Sequence, residues 1–261
     1  MFGVARKLTM RFNHTRPGVR QRSLRDAFDA LRVLMRDPYD TAQGFRLIEA
    51  LDPQIHHREL ARMQTQPTGV KLLSEQPVLL DLLRNRGALE ALPEGSLGRT
   101  YREYCLREGT EPDSFVQMGE AGSRAIDDTV IRFVAHRARD SHDIWHVVCG
   151  YRTDLAGEAA ILAFTFAQTR SPGMLLLLFG GFLHSLIVGR TAGQTMRRLA
   201  WSGWKAGKRA QPLGAAPWEV WLGRPLEDVR AELQISDVPD YEPAYAPRPE
   251  ARPRVAQESQ A

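Results

Sequence analysis

Two histidines, three carboxylates and a cysteine crowd the edge of an apolar run in "SHDIWHVVCGYRTDLAGEAAILAF", which runs from Ser141 to Phe164. His142 and His146 are four apart, so on a helix they share one face a turn from each other. That is the spacing by which a helix offers two imidazoles to one metal ion. Asp143 projects about 100° away from His142, as a partner behind the ligands, a ligand by a bent path, or a proton donor. On one straight helix Glu158 would lie roughly 18 Å beyond His146, too far to share an ion. The chain supplies a break. Gly150 closes the first helix, "YRTD" turns, and Asp154 caps a second helix that carries Glu158 about one turn in. Gly157 lets the two backbones approach. A helix–loop–helix therefore brings Glu158 back toward the imidazoles, and His142, Asp143, His146 and Glu158 are expected to hold a divalent metal beside an apolar pocket. Burying these groups beside Leu, Phe and Val without a cation or full pairing would be strongly unfavourable.

Cys149, three residues past His146, is a lesser candidate on the same side. His56 and His57 are expected in an exposed loop after Pro53, His136 off the ligand face, and His184 as a satisfied core histidine. The chain has no G-x-x-x-x-G-K, no G-x-G-x-x-G opening a helix after a strand, and no G-x-S-x-G, which removes phosphate-loop and serine-hydrolase chemistry. Signatures of nucleic-acid modules are absent as well. A generic metal-dependent hydrolase fits poorly: H-D-x-x-H has an aspartate where zincins have the longer glutamate.

The elements that must position these residues are helical. Sustained period-2 alternation is missing, and 3.6-residue spacing dominates. "SLRDAFDALRVLMRD" puts Leu24, Ala27, Phe28, Leu31, Leu34 and Met35 on one face, with Ser23 as N-cap. "TAQGFRLIEALD" follows, then short helices divided by Pro67 and Pro77. "GSLGRTYREYCLREG" starts at Ser96 and ends at Gly109. "DDTVIRFVAHRARDSHDIWHVVCG" is the longest periodic run. The fold class expected is all-α: one helical domain over 23–236, between a basic flexible segment at 1–22 and a disordered proline-rich tail at 237–261.

The 261 residues, 43% hydrophobic and 25% charged, suit a soluble globular chain with a sizeable core. Two distant cysteines, Cys105 and Cys149, point to a reducing compartment. The net charge of +4 is concentrated in the first residues, from Arg6 to Arg25, and around Arg197, Arg198, Lys205, Lys208 and Arg209, which favours anionic surfaces. Trp201 and Trp204 stand among these cations as core residues or interfacial anchors. "GMLLLLFGGFLHSLIVG", Gly173 to Gly189, is near the lower length limit for a membrane span and reads instead as a buried helix or a hairpin of two short ones, with a membrane-dipping element as the alternative.

"HDIWHVVCGYRTDLAGE" resembles the H-D-x-x-H-x11-E signature of the coenzyme Q (ubiquinone) biosynthesis protein 4 family. "LPEGSLGRTYREY" and "GKRAQPL…WEVWLGRPLEDVRAELQI" resemble its flanking segments, and the likeness covers about Leu24 to Ile235. Cys149-Gly150 and "GAAPWEVWLGR" depart from its usual pattern, which bears on substrate fit or partner contacts. The resemblance implies an all-helical protein, peripheral to a membrane, that serves ubiquinone biosynthesis with a divalent metal, usually zinc, on His142, Asp143, His146 and Glu158. It brings two activities: oxidative decarboxylation at ring carbon 1 of a polyprenylated hydroxybenzoate, or a non-catalytic scaffold that organises the other ubiquinone-biosynthesis enzymes and binds prenyl lipid. Two histidines with carboxylates and an open position are a catalytic pattern, whereas structural zinc is closed by four Cys or His ligands, so the enzyme is preferred. The same donors suit iron. Asp143 or Glu158 would protonate the ring carbon, and Ala159–Val188 would line a groove for the tail. A homo-oligomer on the cytoplasmic face of a bacterial inner membrane is expected, or on the matrix side of the mitochondrial one, without nucleic acid.

Overall fold

The structure is a computed structural model that describes residues 24–123, 125–187, 189–236 and 238–243. The basic segment 1–22, the Ser23 cap and most of the proline-rich tail lie outside the described residues. Those residues form helices and contain no strand. The first six are α1 (Leu24–Leu34), α2 (Thr41–Leu51), α3 (Ile55–Met63), α4 (Pro67–Glu75), α5 (Leu79–Arg84) and α6 (Arg86–Glu90). Then come α7 (Leu97–Glu108), α8 (Pro112–Gly122), α9 (Thr129–Asp140), α10 (His142–Cys149) and α11 (Leu155–Thr169). The chain continues as α12 (Pro172–Ile187), α13 (Arg190–Arg209), α14 (Trp218–Trp221) and α15 (Leu226–Leu233).

Local chemistry sets most boundaries. Pro67 takes the first turn of α4, where its missing N–H costs nothing. Ser96 Oγ accepts from Arg99 N at 3.4 Å to start α7, and Gly109, at φ 70°, ends it. The periodic run through Gly150 is two helices rather than one. Buried Ser141 marks the junction: its hydroxyl donates to the Arg137 carbonyl at 2.8 Å, the same oxygen that accepts its N–H at 3.0 Å.

The main core gathers α7, α10, α11, α13, α14 and α15 around Tyr101, Tyr104, Phe164 and Trp218. In its centre α11 and α13 touch backbone to backbone. A Cβ on Gly203 would overlap the Ala160 carbonyl, and one on Gly207 the Phe164 carbonyl.

Four expectations change. Gly173–Gly189 contains neither a hairpin nor a buried helix: α12 runs unbroken past Gly180 and Gly181, and most of its large side chains face outward, Phe179 at 56% and Ile187 at 80% exposure. A tract apolar all round has no periodicity to say which face is covered. In α1 the buried residues are Ala27 and Ala30, while Leu24, Phe28 and Met35 are exposed. His56 and His57 stand on α3, half-buried, because Pro53 ends α2 without preventing a helix two residues on. Beyond Ile235, Tyr241 packs against the main core, so described contacts run past the expected boundary at 236.

Candidate metal centre

His142 opens α10 and His146 follows one turn later. Arg230 on α15 fixes the far end of that short helix by donating to the carbonyls of Val147 (3.0 Å) and Val148 (2.9 Å). Gly150, at φ 72°, closes it. Asp154 then caps α11, its Oδ1 accepting from Gly157 N at 3.1 Å. Glu158 thus arrives one turn into α11, beside the imidazoles. Its Oε1 lies 3.4 Å from His146 Nε2 and its Oε2 lies 3.9 Å from His142 Nε2. The two imidazoles meet edge to face, centroids 4.8 Å apart. One donor atom each from His142, His146 and Glu158 falls within 4.8 Å of the others.

The other ring nitrogens are engaged away from this point. His146 Nδ1 donates to the Tyr151 carbonyl at 3.2 Å, and His142 Nδ1 to Asp143 Oδ1 at 3.3 Å. Such contacts hold Nδ1–H and leave Nε2 as the available donor atom. Asp143 therefore stands on the far side of His142 from the convergent group, and its Oδ2 accepts from Thr110 Oγ1 at 3.5 Å. Cys149 is turned into the core and outside the group; burial pushes its thiol up to about 12.

His146 is fully buried, whereas 42% of the Glu158 side chain is exposed. Burial works against charge on both. Their mutual attraction outweighs it, so the imidazole is held above its ordinary value and the carboxyl below. Among the described residues, His146 Nε2 lacks a hydrogen-bond partner of normal geometry. An orphaned imidazole nitrogen buried beside a second imidazole and a carboxylate is a donor set that fits a divalent cation, zinc or iron.

His142 and Glu158 line a cavity of about 1630 Å³ whose other walls come largely from α2, α11, α12 and α13. Leu162, Phe166, Leu177 and Phe182 make much of the surface apolar. His56, Glu59, His136 and Arg139 add polar groups from α3 and α9. Burial, with His57 beside it, lowers His56 to about 4 and keeps that imidazole neutral.

Thr110, Tyr151, Arg230 and Tyr104 were not found from the sequence. Tyr104 places its ring 6.1 Å from that of His146 and keeps its buried hydroxyl unpartnered among the described residues. Tyr151 acts through its carbonyl, which no residue type signals, and the others arrive from distant segments.

The family model for Coenzyme Q (ubiquinone) biosynthesis protein Coq4 matches residues 32–239. The mitochondrial ubiquinone biosynthesis protein coq-4 of Neurospora crassa is 32% identical over 190 residues, covering 72% of this chain and 52% of that protein. Its counterpart in Aspergillus flavus is 32% identical over 191 residues, 72% and 63% respectively. That of Yarrowia lipolytica is 32% identical over 193 residues, 72% and 69%. The chain thus spans about half to two thirds of the length of these curated relatives. A crystal structure from Nostoc punctiforme shares the fold, with a TM-score of 0.62 at 23% identity, covering 82% of this chain and 99% of that one.

Proposed function

The chain belongs to the coenzyme Q (ubiquinone) biosynthesis protein Coq4 family, and on that premise we propose that it carries out metal-dependent oxidative decarboxylation of a polyprenylated hydroxybenzoate. The net change is loss of the carboxylate at ring carbon 1 as carbon dioxide and its replacement by hydroxyl; dioxygen, the two-electron oxidant, and water are consumed and hydrogen peroxide is released. One observation carries the reading: three convergent donor residues, two of which line an apolar cavity of about 1630 Å³. A scaffold has no need of that juxtaposition.

His142, His146 and Glu158 would hold the ion. When bound, it supplies a Lewis acid for the ring carboxylate and the neighbouring phenolic oxygen. The chain's own residues do the rest. Asp143 and the Tyr151 carbonyl fix the two imidazoles. Of the two carboxylates, Glu158 lines the cavity and Asp143 does not, so proton movement at the ring carbon falls to Glu158, and Asp143 acts through His142. The apolar walls take up the tail, each buried methylene contributing about 0.8 kcal/mol.

A substrate so apolar resides in a membrane. No helix among the described residues is long and apolar enough to cross one. The outward face of α12 (Phe179, Phe182, Leu183, Leu186, Ile187), flanked by exposed Arg190 and Arg198, suits shallow docking on anionic lipid beside the cavity. The cytoplasmic face of a bacterial inner membrane, or the matrix face of the mitochondrial one, and association with other ubiquinone-biosynthesis enzymes are part of this proposal.

The test is mass spectrometry of quinones and precursors in cells whose only copy carries Glu158→Gln. The expected result is loss of mature quinone and build-up of a precursor that retains the ring carboxylate, with partner enzymes at normal levels. A normal quinone content would remove the catalytic reading and leave the scaffold.

A further inference from the structure

We propose that Tyr241 is a positioning residue of the metal centre, its phenol pinning the turn that carries Glu158 to the histidines. The inference rests on the metal-centre reading above. The turn, residues 150–154, touches the site at both ends: the Tyr151 carbonyl accepts from His146 Nδ1 at 3.2 Å, and Asp154 starts the helix that bears Glu158. The Tyr241 hydroxyl bridges those ends. It accepts from Arg152 N at 2.9 Å and donates to Asp154 Oδ1 at 2.9 Å, the same oxygen that accepts from Gly157 N at 3.1 Å. The phenol and the helix cap are thus one network centred on Asp154.

The space for this contact is built in. A Cβ on Gly157 would lie 2.6 Å from the Tyr241 hydroxyl, so glycine beside Glu158 admits the ring's polar end. Val238 packs over Gly150, laying the same segment along the other side of the turn. From the opposite direction Glu108 of α7 holds the turn, accepting from Arg152 Nε at 3.0 Å and Thr153 Oγ1 at 3.0 Å. Burial, the largest influence, raises the phenol above its ordinary value, so it keeps the proton it donates. Tyr241 lies just past residues 32–239, which the family model matches, so the motif does not announce it.

A group behind a ligand set is worth 10–100-fold in metal affinity when removed. The experiment is Zn²⁺ affinity of the full chain, by competition with a chromogenic chelator, with melting of the metal-free protein measured alongside. Tyr241→Phe retains the ring and its packing; the expected result is 10- to 100-fold weaker Zn²⁺ binding. Leu72→Ala, in a separate core cluster on α4, destabilises the fold without touching the turn and should leave the affinity unchanged. Zn²⁺ affinity within twofold of the parent in Tyr241→Phe overturns the proposal. So does equal weakening in Leu72→Ala, which would make Tyr241 a stability residue only. Glu158→Gln separates the premise: if that variant binds Zn²⁺ like the parent, the metal centre itself is wrongly placed.

Discussion

Replacing Glu158 by glutamine should reverse the direction in which the protein shifts His146. Burial pushes the imidazole down and is the strongest single influence; the Glu158 carboxylate 3.4 Å away, Asp143 and the Tyr151 carbonyl together lift it above its ordinary value. Glutamine keeps the volume and removes the charge. At 3.4 Å and an effective dielectric near 20, the lost attraction is about 5 kcal/mol, which solvent at the half-exposed carboxylate reduces to roughly 2–3 kcal/mol. Burial then dominates, and His146 should titrate below the ordinary imidazole value in the variant and above it in the parent. Imidazole proton shifts of the metal-free proteins report this directly. Zn²⁺ binding follows with a defined sign. Protons compete for His146, so affinity in the parent climbs as pH rises through its raised value and then levels. In Glu158→Gln levelling should come at lower pH, and the plateau should lie at least ~100-fold weaker, beyond the effect of losing a group behind the ligands. His146 titrating at one pH in both proteins would refute the coupling and the geometry on which it rests.

Acid should weaken the fold through His56. Its value is lowered from 6.5 to about 4, so the unfolded chain binds the extra proton, and stability falls as pH drops through that window by at most about 3 kcal/mol; His56→Phe should flatten the pH dependence of Tm there. Arg230→Met strips two carbonyls at the end of α10 of a cationic donor, and should cost about 2 kcal/mol, roughly 4–8 °C in Tm. A Phe179→Glu, Ile187→Glu double variant should bind anionic vesicles at least ~10-fold more weakly while melting like the parent; unchanged vesicle binding would take α12 out of the docking face.

Local chemistry was readable ahead of the structure. Ser96, Gly109, Gly150 and Asp154 bound their helices as their types require, and the helix–loop–helix that returns Glu158 to the histidines follows from two of those signals, Gly150 and Asp154, and one spacing. What depends on tertiary partners was not readable. Asp143 had three open roles, and its place behind His142, where it accepts from Thr110 just past the end of α7, depends on a residue 33 positions away. The outward face of α12 was hidden by its own uniformity: a run apolar on every side fits a core as well as a surface. Ser141 is unremarkable in a periodic run, and its hydroxyl bonds back one turn at the junction where α9 gives way to α10.

The seam between α11 and α13 sets how this chain can vary over generations. Gly203 and Gly207 face carbonyls of α11 with no room for a methyl group, and Glu158 rides on the same helix. Any side chain at either glycine would lever α13 away from the helix that carries Glu158, so drift there is closed. Across the cavity, α12 is tied to α13 where Gly193 meets the Ser185 carbonyl, but its exposed side chains are clear of that contact and need be apolar, not of one shape. Selection for a longer or shorter tail on the proposed substrate therefore has a wall it can remodel without disturbing the chemistry.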